Sequence, residues 1–151
     1  MTGDVNIFFM ECRMATGLRI VIVEEQCLSR NVLVKALHAW GYACAVVEDE
    51  DAAWAAVLDA VGPTLILADW HADFLECSEF IERIRTSPAM NAVHILCSIP
   101  RGAVGAIRSC INAGADDYVF RPYDLDEMRV RLHIASQVMG LAPDGPVFSA
   151  E

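Results

Sequence analysis

The segment LILAD, residues 65–69, ends an apolar run on a carboxylate, and this is the first place in the chain where a residue type suggests chemistry. A charged group at the edge of a buried strand costs free energy unless another group binds it. Asp69 is therefore expected either to cap a loop or to belong to a functional site.

Other charged residues follow apolar segments in the same way. Glu24 and Glu25 come directly after residues 19–23, and Arg121 comes directly after residues 117–120. If these segments are parallel strands of one sheet, their carboxyl ends meet at one edge, where open α/β sheets bind ligands. The sequence thus predicts three acids and one cation at the same edge.

The elements that must position these residues are alternating strands and helices. The strands are predicted at 19–23, 43–47, 64–68, 93–97 and 117–120, and the helices at about 27–40, 51–60, 78–85, 102–113 and 124–139. Nearly continuous apolar strands separated by helices are typical of a parallel sheet that is covered on both faces. The predicted fold class is α/β, with a doubly wound five-stranded parallel sheet.

Length and composition narrow the class of protein. The 151 residues fit one domain, and a net charge of −10 argues against binding to the phosphate backbone of nucleic acids. The six cysteines show no C-x-x-C pair and no metal-ligand spacing, which favours reduced thiols in the core. The first residues have neither the basic segment of a signal peptide nor a membrane anchor. We therefore expect a cytoplasmic protein with no nucleic acid or membrane partner.

Three segments together resemble the receiver domain of bacterial response regulators: VEEQCLSR, LADWHAD and GADDYVFRPYD, which begin at residues 23, 67 and 114. The resemblance implies a flavodoxin-like (βα)5 fold with strand order 2-1-3-4-5 and a cis peptide bond before Pro122. It covers the receiver domain at 18–140, and we expect the residues before it, 1–17, to form a disordered leader and the Pro/Gly-rich residues after it, 141–151, to form a C-terminal tail or linker stub. It also implies a signalling switch and not a turnover enzyme.

The resemblance further assigns roles at the predicted edge. Asp69 would accept a phosphoryl group from a histidine kinase or phosphotransfer protein. Glu24, Glu25, Asp69 and the backbone carbonyl of His71 would hold Mg²⁺. In the family, a hydroxyl at the end of the fourth strand and a lysine at the end of the fifth contact the phosphoryl oxygens, and an aromatic residue at the position of Tyr118 changes rotamer.

The sequence departs from this pattern at three positions. Ile99 stands at the hydroxyl position, and Ser98 beside it is expected to point to the opposite face of the strand. Arg121 stands at the lysine position, and the only lysine of the chain, Lys35, belongs to the first helix. Glu25 is one methylene longer than the usual aspartate, which matters because Mg²⁺ requires near-ideal octahedral geometry.

Two function hypotheses remain open. In the first, phosphorylation of Asp69 switches a face made by the helix at 102–113, the strand at 117–120 and the helix at 124–139, through which a homodimer is also predicted. In the second, the chain is a pseudo-receiver that binds partners or dimerises without phosphate, and Arg121 is a structural ion-pair partner of Asp69. A hydrolase is disfavoured because the sequence has no nucleophile elbow and no Ser-His pairing.

Overall fold

A computed structural model describes residues 17–23, 28–59, 62–70, 74–90 and 92–141. The strands are β1 (Arg19–Val23), β2 (Ala43–Val47), β3 (Thr64–Asp69), β4 (Val93–Pro100) and β5 (Asp117–Arg121). The helices are α1 (Leu28–Ala39), α2 (Glu50–Asp59), α3 (Phe74–Thr86), α4 (Val104–Ala113) and α5 (Leu125–Val138), with a short 3₁₀ turn at Pro88–Met90. The alternation predicted from the sequence is confirmed.

All five strands are parallel and lie in the order β2-β1-β3-β4-β5. The chain first adds β2 on one side of β1 and then adds β3, β4 and β5 on the other side. The strand order therefore reverses between β1 and β3, which is where folds of this kind bind ligands. Asp69 is the last residue of β3.

Two apolar layers cover the sheet, and the alternation of side chains along each strand decides which layer a residue joins. On one face, α2, α3 and α4 pack over strand residues such as Ile66, Ile95 and Cys97. On the other face, α1 and α5 pack over residues such as Leu67 and Leu96. This assignment fixes the side of the sheet on which each residue of the carboxyl edge lies.

Three element boundaries differ from the prediction by two residues or more. Helix α3 begins at Phe74, four residues before the predicted start at 78, and Cys77 in its first turn is buried. Strand β4 runs to Pro100 and not to 97, since Ser98 and Ile99 still pair with β5. Helix α4 begins at Val104, after Gly102, whose φ of +90° is not helical.

Helix α5 begins as the sequence predicts. The Asp124 side chain accepts hydrogen bonds from the backbone N–H groups of Asp126 at 2.9 Å and Glu127 at 3.3 Å, which caps the helix. The buried face of α5 consists of Met128, Leu132, Ala135 and Ser136. Leu141, the last described residue, packs against the same layer.

The cysteines that the structure describes, Cys44, Cys77, Cys97 and Cys110, are buried free thiols, as predicted, while Cys12 and Cys27 lie outside the described residues. Hydrogen bonding to Cys110 and Cys77, together with burial, raises the pKa of Cys97, which keeps this sulfur protonated. No helix among the described residues is long and apolar enough to cross a membrane.

Arg85 of α3 ties the amino-terminal edge of the sheet together. Its guanidinium donates to the carbonyl oxygens of Gly114 and Val93, both at 2.8 Å, and its Nη2 lies 2.5 Å from Oδ2 of Asp116. The same Asp116 oxygen accepts a hydrogen bond from the Ile95 N–H at 2.8 Å. These contacts fix α3 to the starts of β4 and β5, on the edge opposite Asp69.

Replacing Gly114 by alanine should therefore be costly. Gly114 has φ +119°, and an added Cβ would lie 2.9 Å from Cγ of Arg85, which has no room to move because its guanidinium is held by three acceptors. We expect Gly114→Ala to lower the free energy of unfolding by about 2–4 kcal/mol, because left-handed strain and a clash act together. Urea denaturation measures this change.

Two other glycines serve as matched controls for this substitution. Gly102 has φ +90° with no heavy atom near an added Cβ, so Gly102→Ala should cost only the backbone strain of about 1–2 kcal/mol. Gly105 lies in α4 with open space around it, and Gly105→Ala should stabilise the domain by about 0.5–1 kcal/mol. A Gly114→Ala cost no larger than that of Gly102→Ala would argue against a rigid Arg85 clamp.

Candidate functional site

Asp69 lies at the carboxyl end of β3, next to the point where the strand order reverses. The other residues of β3 are buried, and the Asp69 side chain is itself only 10% exposed. Leu65 and Leu67 face the layer of α1 and α5, so alternation places the Asp69 carboxylate on this same side of the sheet. A carboxylate in such a position requires a partner.

The partner is Arg121, the last residue of β5. Its Nη1 contacts Oδ1 of Asp69 in an ion pair, and its Nη2 donates to the backbone carbonyl of Trp70 at 3.2 Å. The Arg121 side chain is 19% exposed. A charge-assisted contact so poorly exposed to water is stronger than one on the open surface. The structure thus brings together Asp69 and Arg121, as the sequence predicts, and the contact spans β4.

Ser98 of β4 lies beside Asp69. Its Cα is the register partner of the Asp69 Cα, and its carbonyl accepts a hydrogen bond from the Trp70 N–H at 2.8 Å. The Ser98 hydroxyl is buried, with 1% of the residue exposed, and lies 2.9 Å from the hydroxyl of Tyr123. The serine that sequence reasoning placed next to the hydroxyl position therefore points to the same side of the sheet as Asp69.

Tyr123 is a residue of this edge to which the sequence analysis gave no role. The Arg121–Pro122 peptide bond is cis, as the resemblance implies. Tyr123 follows this bond and directly precedes Asp124, which caps α5. The available signal was a hydroxyl-bearing aromatic residue two positions after Arg121. Its partner Ser98 lies 25 residues away in the chain, so only the fold could reveal their contact.

Ile99 and Tyr118 lie on the other face of the sheet. Ile99 is fully buried, at 0% exposure, in the layer of α2, α3 and α4. Tyr118 packs against this layer, with its ring in an edge-to-face contact with Phe120 at 5.5 Å and the Arg131 guanidinium 5.6 Å from its centroid. The hydroxyl position therefore holds a core residue that offers no hydrogen bond.

Among the predicted Mg²⁺ ligands, Glu24, Glu25 and His71 lie outside the described residues, and Asp69 lies within them. The described part of the chain holds no cluster of three or more His, Cys, Asp or Glu residues that could bind a metal ion. The full predicted set consists of three carboxylates and a carbonyl, and such hard oxygen donors fit Mg²⁺. One oxygen of Asp69 already contacts Arg121.

A doubly wound sheet of order 2-1-3-4-5 is the chemotaxis-regulator-like class of receiver fold. The sequence profile of the response regulator receiver domain matches residues 20–133 of this chain. The chain belongs to this family, whose members are mainly signalling proteins of two-component systems that pair with histidine kinases.

Two curated relatives illustrate the likeness in sequence. The transcriptional regulatory protein TcrA of Mycobacterium tuberculosis is 31% identical over 139 residues, which are 92% of this chain and 53% of TcrA. The phosphate regulon transcriptional regulatory protein PhoB of Pseudomonas aeruginosa is 28% identical over 116 residues, or 77% of this chain and 50% of PhoB. The chain therefore spans about half the length of these relatives.

Solved structures show the same fold. A putative response regulator from Chloroflexus aurantiacus has a TM-score of 0.70 at 20% identity and covers 78% of this chain and 95% of its own. The receiver domain of the sensor histidine kinase PA1611 from Pseudomonas aeruginosa, described with a magnesium ion in its active site cleft, has a TM-score of 0.65 at 22% identity, covering 82% of this chain and 98% of its own.

The contact between Asp69 and Arg121 should appear as a coupling free energy. In a double-mutant cycle with Asp69→Asn and Arg121→Gln, we expect the two substitutions to interact by about 1–3 kcal/mol, because each alone leaves a poorly solvated charge without its counter-ion. Urea denaturation of the wild type, the two single variants and the double variant measures this coupling free energy at low and high salt. Because both side chains are poorly exposed to solvent, the coupling should not depend on salt.

A second cycle controls for general charge effects. Arg83 and Asp51 form a 3.8 Å ion pair between α3 and α2 with side chains 53% and 95% exposed. A cycle with Arg83→Gln and Asp51→Asn should give a coupling of about 0–0.5 kcal/mol that disappears in high salt. Equal couplings in the two cycles would contradict a special role for the Asp69–Arg121 pair.

Proposed function

We propose that Asp69 accepts a phosphoryl group from the phosphohistidine of a histidine kinase or phosphotransfer protein, and that the domain then changes the face formed by α4, β5 and α5. The observation that supports this proposal most directly is the position of Asp69 at the strand-order reversal, with the Arg121 guanidinium against its carboxylate. Both the acceptor and a cation for the incoming charge are thus already at one edge.

Transfer of the phosphoryl group requires little covalent chemistry from the protein beyond the Asp69 carboxylate. A carboxylate oxygen of Asp69 forms a bond to phosphorus while the phosphorus–nitrogen bond of the donor breaks, and the imidazole leaves with the electron pair. Catalysis then depends on alignment and on neutralising the three phosphoryl oxygens. Arg121 has five N–H donors in a fixed fork, so it can contact phosphoryl oxygens once it has moved from the carboxylate.

We also propose that Glu24, Glu25, Asp69 and the backbone carbonyl of His71 bind Mg²⁺ at this edge. When bound, the ion would supply positive charge beside the acceptor. Two points support the site: its all-oxygen donor set, and the description of a magnesium ion in the active site cleft of the PA1611 receiver domain, which has the same fold.

Phosphorylation of Asp69 can be tested with a small phosphodonor. We expect the full chain to gain one phosphoryl group slowly when it is incubated with acetyl phosphate and Mg²⁺, and to gain none when EDTA replaces the metal. Intact-mass spectrometry measures the gain. Asp69→Asn should abolish it, whereas Asp126→Asn, at an exposed carboxylate on α5, should leave it unchanged. Absence of any phosphoryl gain in the wild type would refute the proposal.

A pseudo-receiver is the second candidate, and two observations favour it. Ile99 fills the hydroxyl position with a buried core side chain, and Arg121 already neutralises Asp69. A protein of this kind would keep its interaction face in one state without phosphate. The α4 part of that face exposes Val104, at 82%, and Ile111, at 43%. On its β5–α5 side, Arg131 pairs with Asp117 at 3.3 Å.

The pseudo-receiver candidate predicts a homodimer through α4, β5 and α5 that does not depend on Asp69. Exposed apolar residues among charges of both signs suit a self-complementary two-fold contact. We expect light scattering at high micromolar concentration to show a dimer for the wild type and for Asp69→Asn, and a monomer for Ile111→Glu. Leu58→Glu, a similarly exposed apolar position on α2, is the control and should remain dimeric. A monomeric wild type would exclude the homodimer and restrict this candidate to the binding of a different partner.

A further inference from the structure

Two hydrogen-bonded hydroxyl groups lie on the side of the sheet covered by α1 and α5, and one of them belongs to the register partner of Asp69. Ser98 is directly across from Asp69 in the register of β3 and β4, and its Oγ lies 2.9 Å from Oη of Tyr123. The apolar residues of this layer include Leu96, Val119 and Met128. A buried hydroxyl in such surroundings is unfavourable unless it is hydrogen-bonded, and here each hydroxyl bonds the other.

The hydroxyl pair connects the acceptor with the beginning of a helix. Tyr123 directly precedes Asp124, whose side chain caps α5 through the N–H groups of Asp126 and Glu127. A displacement of the Tyr123 ring therefore acts on the first turn of α5. Three links join Asp69 to the helix: Asp69 is paired with Ser98 in the sheet, Ser98 is hydrogen-bonded to Tyr123, and Tyr123 is bonded through the backbone to Asp124, which caps α5.

A serine hydroxyl can respond to the charge beside it by a rotation about a single bond. It carries one donor hydrogen and two acceptor lone pairs, so it can donate to Tyr123 or accept from it. Because Ser98 is the register partner of Asp69, negative charge there favours the arrangement in which Ser98 donates toward Asp69 and accepts from Tyr123. Hydrogen bonds aligned in one direction polarise and strengthen one another.

We propose that Ser98 and Tyr123 are positioning residues that transmit the charge state of Asp69 to the first turn of α5. They take over the role of the hydroxyl that Ile99 lacks, from the other face of the sheet. The inference rests on the proposed function in one respect: phosphorylation is the event that changes the charge at Asp69. The coupling itself belongs to the resting domain and can be measured without phosphate.

The test is a double-mutant cycle read by amide hydrogen exchange. Asp69→Asn removes the charge at nearly constant size, and Tyr123→Phe removes one hydroxyl of the pair. In the full chain, we expect Asp69→Asn to change the exchange rates of the amides at residues 125–129 by about three- to tenfold, which corresponds to one hydrogen bond. In the Tyr123→Phe background, the same substitution should change these rates less than twofold.

Substitutions of Ser98 separate transmission from simple structural support. Ser98→Thr keeps the hydroxyl and should keep the response to Asp69→Asn, whereas Ser98→Ala should lose it. If the pair only supported the fold, Tyr123→Phe would change the exchange rates in both backgrounds equally and leave the response intact. Such an intact response would overturn the proposal and indicate that β5 transmits the change through Arg121 and Pro122.

Incubation of the wild type with acetyl phosphate and Mg²⁺ distinguishes a failure of this inference from a failure of the proposed function. If the wild type gains no phosphoryl group, the proposed function fails, and the Asp69→Asn cycle still decides whether the hydroxyl pair transmits charge. If the wild type is phosphorylated and the cycle shows no coupling, the transmission fails and the proposed function stands.

Discussion

The free energy of the negative charge on Asp69 depends on the guanidinium of Arg121. The carboxylate ends a strand that is buried on both faces, so solvation by water compensates only a small part of its burial. The counter-ion comes from the end of β5, two strands away, and the contact forms only if β3, β4 and β5 keep their register. The strand order of the sheet therefore determines whether Asp69 and Arg121 can form their ion pair.

Arginines hold both edges of this sheet, but in different ways. Arg85 donates to two carbonyl oxygens and to a carboxylate, all fixed at the ends of neighbouring elements, so its contacts are structural. Arg121 contacts one carboxylate oxygen and one carbonyl at the edge where the strand order reverses. We infer that the first arrangement resists change, whereas the second leaves a cation available for a new anion.

One departure from the family pattern, Ile99 at the hydroxyl position, follows from the geometry of β4. A strand turns successive side chains to opposite faces, so the apolar Ile99 completes the layer of α2, α3 and α4, while Ser98 turns toward Asp69. The hydroxyl of Ser98 then needs a partner, which Tyr123 supplies. The resemblance implies a hydroxyl at position 99, on the face covered by α2, α3 and α4. The hydroxyl groups of this edge lie instead on the face covered by α1 and α5.

The sequence by itself determined the strands, the helices and the edge at which Asp69 and Arg121 meet. These follow from local patterns: apolar runs, the alternation of strands with helices, and the rule that parallel strands end together. The sequence also suggested that Arg121 could pair with Asp69, without deciding whether it did. Only the tertiary structure decided the ion pair, the longer β4 and the bond between Ser98 and Tyr123, because each depends on which residues, distant in the chain, the sheet register brings within a few ångströms.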